Sequence, residues 1–486
     1  MLALLTSAEL PAIDRHMAET GTPNFVLMER AGAAVAREVD AFAPKARRIV
    51  VVAGPNNNGG DCMCAARIMM EAGRDVVVAL FAERSELPPD PAKAAAQWRG
   101  PLVRATPAAL AGADLIVDGL YGGGLKHEVA GDAAKLVEAI NASPGPVLAV
   151  DFPSGVSGVT GTILGTAVKA DRTITFFCLK PGHLLMPGRL QCGPIVVDPI
   201  GIPASVMDTV GPRAFHNRPE LWSAALPDWG GQKPGRRRIV VVPGTARTGD
   251  GAQRVAAGAR AAGVDLAASS TEADAAACPD ALGPDKAGAA ALATGLPVVL
   301  GCSGAPTSPA DLDLLFSDIQ ARKSPAVLVL DGARFARLFP SVSAGSRLEQ
   351  VREAATISGA IVAYLGSDRV VAAPDRRAAI ANNAAPDPIV EGAADVLVGL
   401  IGALMARGAP PFEAAAAAVW LLGRADGRPN ANARLETLSE RLAVSLQDAY
   451  AAAGGETPSD PPTTAFAQQI AIRHRTGGPS DLGATR

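Results

Sequence analysis

Aromatic residues are scarce: Phe 12, Trp 4 and Tyr 3 amount to 4% of 486 residues. A chain so poor in rings offers no stacking platform for single-stranded nucleic acid. Positive charge is not in excess either, since Lys+Arg 45 against Asp+Glu 48 leaves a formal net charge of -3. The global basic footprint of a nucleic-acid or anionic-membrane binder is therefore missing. The opening MLALLTSAEL has no basic segment, and its apolar run is too short for a secretory signal. No stretch reaches the ~20 apolar residues of a membrane span; the run 396–405 is closed off by Arg407 and Pro410. Six cysteines, at 62, 64, 178, 192, 278 and 302, contain no CxxC pair. They read as the reduced thiols of a cytoplasmic protein, with Cys62 and Cys64 the one spacing a soft metal could use.

What is present is small and aliphatic. Hydrophobic residues make up 48%, with 51 Gly and 39 Pro, which suits Ala/Gly-faced helices on Val/Ile/Leu strands. The length allows two or three domains at ~100–200 residues each. Short β-branched runs begin at Arg48, Asp75, Asp114, Pro146 and Arg172, with helical stretches at 25–40, 64–73 and 130–141. A further helix runs toward His16, with Ser7 as its cap. Strands alternating with helices predict βαβ crossovers and a doubly wound α/β sheet over 1–212. The Pro-, Gly- and Trp-bearing stretch 213–235 reads as a linker. A second α/β unit follows over 236–452, with strands at Arg237, Pro297, Ala326 and Ala360 and Ala-rich helices at 394–407 and 412–424. The tail, 453–486, reads as flexible.

In an open α/β sheet, ligands gather beyond the carboxyl ends of the strands. Three such ends are rich in Gly and small polar residues. At 54–61 the chain reads Gly-Pro-Asn-Asn-Asn-Gly-Gly-Asp before a helix expected from Cys64. Backbone N–H groups of such a turn cradle phosphate, although Asn and Gly also make ordinary left-handed turns. The second end runs Asp118-Gly-Leu-Tyr-Gly-Gly-Gly-Leu-Lys-His-Glu, and the third Asp151-Phe-Pro-Ser-Gly. Asn, Asp and Ser oxygens together form a hard-ligand set suited to an alkali or alkaline-earth cation. His127 lies in the second loop, whereas His16, His183, His216 and His474 read as structural or exposed.

These three segments in this order, with Leu5-TSAELPAIDRHM, Met28-ERAGAAVA, Ala170-DRTITF and Lys180-PG, resemble the NAD(P)H-hydrate epimerase family over about 1–205. The resemblance implies a Rossmann-like three-layer domain that interconverts the R and S forms of NADH or NADPH hydrated at C6. It implies dinucleotide contacts from Asn57, Asn58, Gly59, Gly60 and Asp61 and from Gly122, Gly123, Gly124, Leu125, Lys126, His127 and Glu128. It further implies a K+ ion held by Asn58, Asp118 and Ser154, with Asp151 binding substrate and acting as acid and base. Asn56 and Cys62 stand where the family has Gly, and His127 where it has Arg; Asn56 tolerates a left-handed turn.

Residues 235–450 resemble the ADP- or ATP-dependent NAD(P)H-hydrate dehydratase, a ribokinase-like fold often fused to this epimerase. The hydrophobic frame is present, but the chemical positions differ. Gly301 stands for an Asp, Asp331 for a His, Arg334 for a Glu and Leu365 for a Lys, while Glu391 and Ala394 replace glycines of an anion loop that keeps Asp395. Losing the lysine removes a charge-assisted phosphate contact, and Glu391 adds repulsion. The expectation is an epimerase with an inactive dehydratase-like half, Asp395 being its surviving site residue. Two other readings stay open: a fully bifunctional enzyme using ADP or ATP, and a non-catalytic scaffold. The expected partner is the small-molecule substrate alone, without nucleic acid or membrane, and small-residue helices suit homo-oligomerisation.

Overall fold

A computed structural model describes residues 2–6, 8–226, 237–243, 250–282, 286–302, 309–343, 345–384, 392–426 and 435–453. Ser7, His474, Glu391 and the tail beyond Ala453 lie outside the described residues.

The first half is built on seven parallel strands. In spatial order they are Leu102–Arg104, Asp75–Leu80, Arg48–Ala53, Leu115–Gly119, Val147–Val150, Arg172–Phe176 and Ile195–Asp198. Ile49, Val51 and Ala53 join one core and Val50 and Val52 the other, so the sheet is buried on both faces. Helices Asn24–Phe42 and Asn57–Glu71 cover the first face, and Gly131–Asn141 the second. That burial explains the unbroken β-branched runs. Strand order reverses between Arg48–Ala53 and Leu115–Gly119, and a crevice opens where the chain departs in opposite directions.

The second half has a sheet of ten strands, five of whose junctions, from Asp265–Leu266 through to Ile361–Leu365, are parallel. Its far edge overturns the expected linker: Ala214–His216 is a strand, parallel to Ala378–Ala381, and Trp222, 1% exposed, is core. Ala3–Leu4 then adds antiparallel to Ala214–His216, so the first residues of the chain belong to the second sheet. The helix Ala393–Ala406 is buried along its whole length. Its Gly399 lies where a Cβ would meet the Val255 carbonyl at 1.9 Å. The small residues of this helix serve close packing within the chain. Among the described residues no helix is long and apolar enough to cross a membrane.

Candidate active site

The crevice at the strand reversal is built from four strand ends. After Arg48–Ala53 the chain turns at Gly54, whose N–H donates to the Gly119 carbonyl (3.0 Å), and the helix Asn57–Glu71 begins at once. The helix was expected from Cys64; it starts a full two turns earlier because Gly59 lets it press against the strand. A Cβ on Gly59 would stand 2.0 Å from the Gly54 carbonyl oxygen. Asn56 is extended (φ -108), not left-handed. Cys62 fits because Gly119 faces it without a side chain. Asn58 is 8% exposed, and neither polar atom of its side chain has a partner among the described residues.

Asp118 and Ser154, from the two neighbouring strand ends, are both fully buried. Ser154 donates from its N–H (2.8 Å) and hydroxyl (2.6 Å) to Asp118, and Tyr121 N–H donates to the Ser154 oxygen (2.8 Å). Burial pushes the Asp118 carboxyl up to about 6 against the pull of these hydrogen bonds. A buried carboxylate beside an unpartnered buried amide oxygen and a hydroxyl is a donor set that fits a hard cation.

Asp151 occupies the left-handed region at φ 60. Gly123 N–H donates to its Oδ2 (3.0 Å), while Thr175 Oγ1 (2.9 Å) and Lys180 Nζ (2.8 Å) donate to Oδ1. Burial works against the charge, but the Lys180 ammonium and these donors outweigh it and hold Asp151 well below the usual carboxylate range. His183 completes the support, although it was expected to be structural or exposed. It is 1% exposed, stacked on Phe152 at 3.7 Å, and its Nδ1 accepts the Lys180 N–H (3.0 Å). That leaves Nε2 to carry the proton and donate to the Asp151 carbonyl (2.8 Å). Burial, aided by the Lys180 charge, lowers His183 to about 3, so the ring is neutral.

Asn58, Asp151 and Lys180 line one cleft of about 760 Å³, walled by Leu10, Ile13, Phe177 and Ile202 on its apolar side, while Asp118, Ser154, Thr175 and His183 lie behind its lining. Asn57, Asn58, Asp61, Asp151 and the whole loop 122–128 face it, as expected; His127 is at its exposed mouth. Gly59 and Gly60 do not line it and act as packing residues, Gly60 lying against Met28. Burial and the Asp151 charge push the Asp61 carboxyl well up, with Lys180 opposing them. The sequence reading gave Lys180 no role, although it follows the fourth strand end as the other site residues follow theirs. Cys62 and Cys64 are buried, and burial pushes the Cys64 thiol up to about 12.

In the second half, Asp395 starts the helix Ala393–Ala406 and is paired with Arg254 at 3.3 Å. Asp331, at the family's His position, caps the helix Gly332–Leu338 by accepting Arg334 N–H (2.8 Å) and pairs with the Arg334 guanidinium. Leu365 is 1% exposed, within an apolar core.

Residues 24–182 match the family model "YjeF-related protein N-terminus" and residues 285–448 the model "NAD(P)H-hydrate dehydratase". The bifunctional NAD(P)H-hydrate repair enzyme Nnr of Pyrobaculum aerophilum is 33% identical over 87% of this chain and 93% of its own. The Thermosynechococcus vestitus enzyme of the same name is 32% identical over 83% and 89%. The NAD(P)H-hydrate epimerase of Limosilactobacillus fermentum is 39% identical over 40% of this chain and 94% of its own. A crystal structure of the ADP/ATP-dependent NAD(P)H-hydrate dehydratase from Bacillus subtilis covers 48% of this chain and 98% of its own at 18% identity, TM-score 0.39. With both halves matched and the similarity running almost end to end, the chain belongs to the family of bifunctional NAD(P)H-hydrate repair enzymes.

Proposed function

We propose that the first half epimerises hydrated NADH or NADPH at C6 and that the second half does not dehydrate it. The observation that carries the first part is that Asn58, Asp61 and Asp151 line one cleft at the strand reversal, with the hydrogen-bonded pair Asp118 and Ser154 tied to its wall through Tyr121. The loop 122–128 and the first turn of the helix Asn57–Glu71 bind the dinucleotide, the helix N-terminus favouring its phosphates. Asn58, Asp118 and Ser154 would hold K+, which supplies a positive charge near bound phosphate oxygens.

The reaction needs a proton for the departing hydroxyl and a base for the returning water. Asp151, held as a carboxylate by Lys180, suits the second task better than the combined role expected of it. Asp61, whose carboxyl burial and the Asp151 charge push well up, suits the first. The C6–O bond breaks as Asp61 gives its proton to the hydroxyl, which leaves as water, and the ring nitrogen lone pair stabilises the cation. A water adds to the other face and yields its proton to Asp151; the reverse direction exchanges the two roles. Asp151→Asn is expected to abolish nearly all epimerisation while leaving the circular dichroism spectrum intact. Near-normal turnover would sink the assignment.

For the second half, the support is that several of the chemical positions are otherwise engaged: Asp395 by Arg254, Asp331 by its cap and Arg334, and Leu365 by the core. The buried free thiols suit a reducing cytoplasmic compartment.

A further inference from the structure

The segment that carries Lys180 is anchored in the other half of the molecule. On one flank, Leu5 N–H donates to the Leu179 carbonyl (3.3 Å). On the other, Leu184 and Leu185, 1% and 0% exposed, share a core with Leu328 and Val370 of the second sheet. Met186 then donates its backbone N–H to Asp368 Oδ1 at 2.7 Å. Asp368 is 9% exposed and closes the hairpin between Ile361–Leu365 and Arg369–Ala372, its carbonyl accepting from Gly366 (3.0 Å). Arg189 reaches across to the Ala384 carbonyl (3.4 Å); burial pushes the Asp368 carboxyl up, with the Met186 N–H and the charges of Arg189 and Arg347 opposing it. Between Lys180 and Met186 the chain is a tight 3-10 turn, Pro181–His183, bonded back to Lys180. Little slack separates the anchor from the ammonium.

We propose that Asp368, in the second half, is a positioning residue for the epimerase centre: by fixing Met186 it fixes the run of chain that places Lys180 and His183 against Asp151. This rests on the roles proposed above for Asp151 and its cleft. It gives the second half a part in turnover that needs no nucleotide and no dehydration.

The test is made in the full chain with Asp368→Ala and Asp368→Asn. Alanine leaves the Met186 N–H without its acceptor and is expected to lower kcat about ten-fold or more, since small misplacements of reacting groups are costly. KM should stay within about two-fold, because the walls that bind the dinucleotide are untouched. Asparagine keeps an oxygen that accepts the same N–H and is expected to restore kcat. Wild-type kcat in a folded Asp368→Ala protein overturns the proposal, as does an equal loss in Asp368→Asn. Should the alanine variant not fold, Asp368→Ser, too short to reach Met186, is read by the same criteria. Asp151→Asn run alongside separates the two ideas. Its normal turnover removes the site reading, whereas an inactive Asp151→Asn with a normal Asp368→Ala removes only the coupling.

Discussion

Asp151 sits where a side-chain-bearing residue costs of order 1–2 kcal/mol of backbone strain, and its neighbours hold it there. Its N–H donates to the Ile174 carbonyl (2.7 Å), Lys180 grips its carboxylate and His183 its carbonyl. The histidine does this as a neutral ring, and that has a pH signature. Its folded value of about 3 lies below the ordinary 6.5, so between them the unfolded chain binds the extra proton. Stability therefore falls as pH drops through that window, by at most about 1.4 kcal/mol per pH unit from this group. His183→Gln is expected to flatten the slope in urea unfolding measured at pH 7 and pH 5; an unchanged slope would show that the ring takes up its proton as readily in the folded as in the unfolded chain. The acids and amides of the site were legible because each directly follows a β-branched run. Lys180 and His183 were not, since nothing in the local pattern announces a contact back to a residue 29 and 32 positions earlier.

The turn from Arg48–Ala53 into Asn57–Glu71 shows how an element can serve as a site. Its glycines read as freedom to bend, but their main use is proximity: Gly59 and Gly54 let helix and strand meet backbone to backbone. Gly59→Ala puts a methyl group 2.0 Å from a carbonyl oxygen that has nowhere to go. The expected loss is about 1–3 kcal/mol in chemical denaturation, together with weakened substrate binding as Asn58 is pushed outward. An alanine variant of unchanged stability would mean that the helix start yields. Strand existence was legible where residues were bulky and β-branched. Ala275–Cys278 and Ala378–Ala381 escaped because alanine favours helices, and only burial on both faces makes them strands. The edge strands Leu102–Arg104 and Ile195–Asp198 were too short to stand out.

At the scale of the molecule the two halves are interleaved, not merely joined. The strand Ala214–His216 was hidden in a stretch whose prolines suggested a linker. The altered residues and occupied partners of the second half are the ground for proposing that it does not dehydrate the substrate. Full-length protein given the S-epimer with ADP or ATP is expected to show no recovery of NAD(P)H absorbance; clear recovery would restore the bifunctional reading.

The pairing of Ala3–Leu4 with Ala214–His216 also orders events in time. Ala3–Leu4 joins a strand made about two hundred residues later, whose other neighbour, Ala378–Ala381, is made later still. The seven parallel strands of the first sheet, all within 48–198, have everything they need long before that. Domains fold as units during synthesis, and distant pairings wait for their partners. The beginning of this chain is therefore a late seam, closing only when the second sheet exists to receive it.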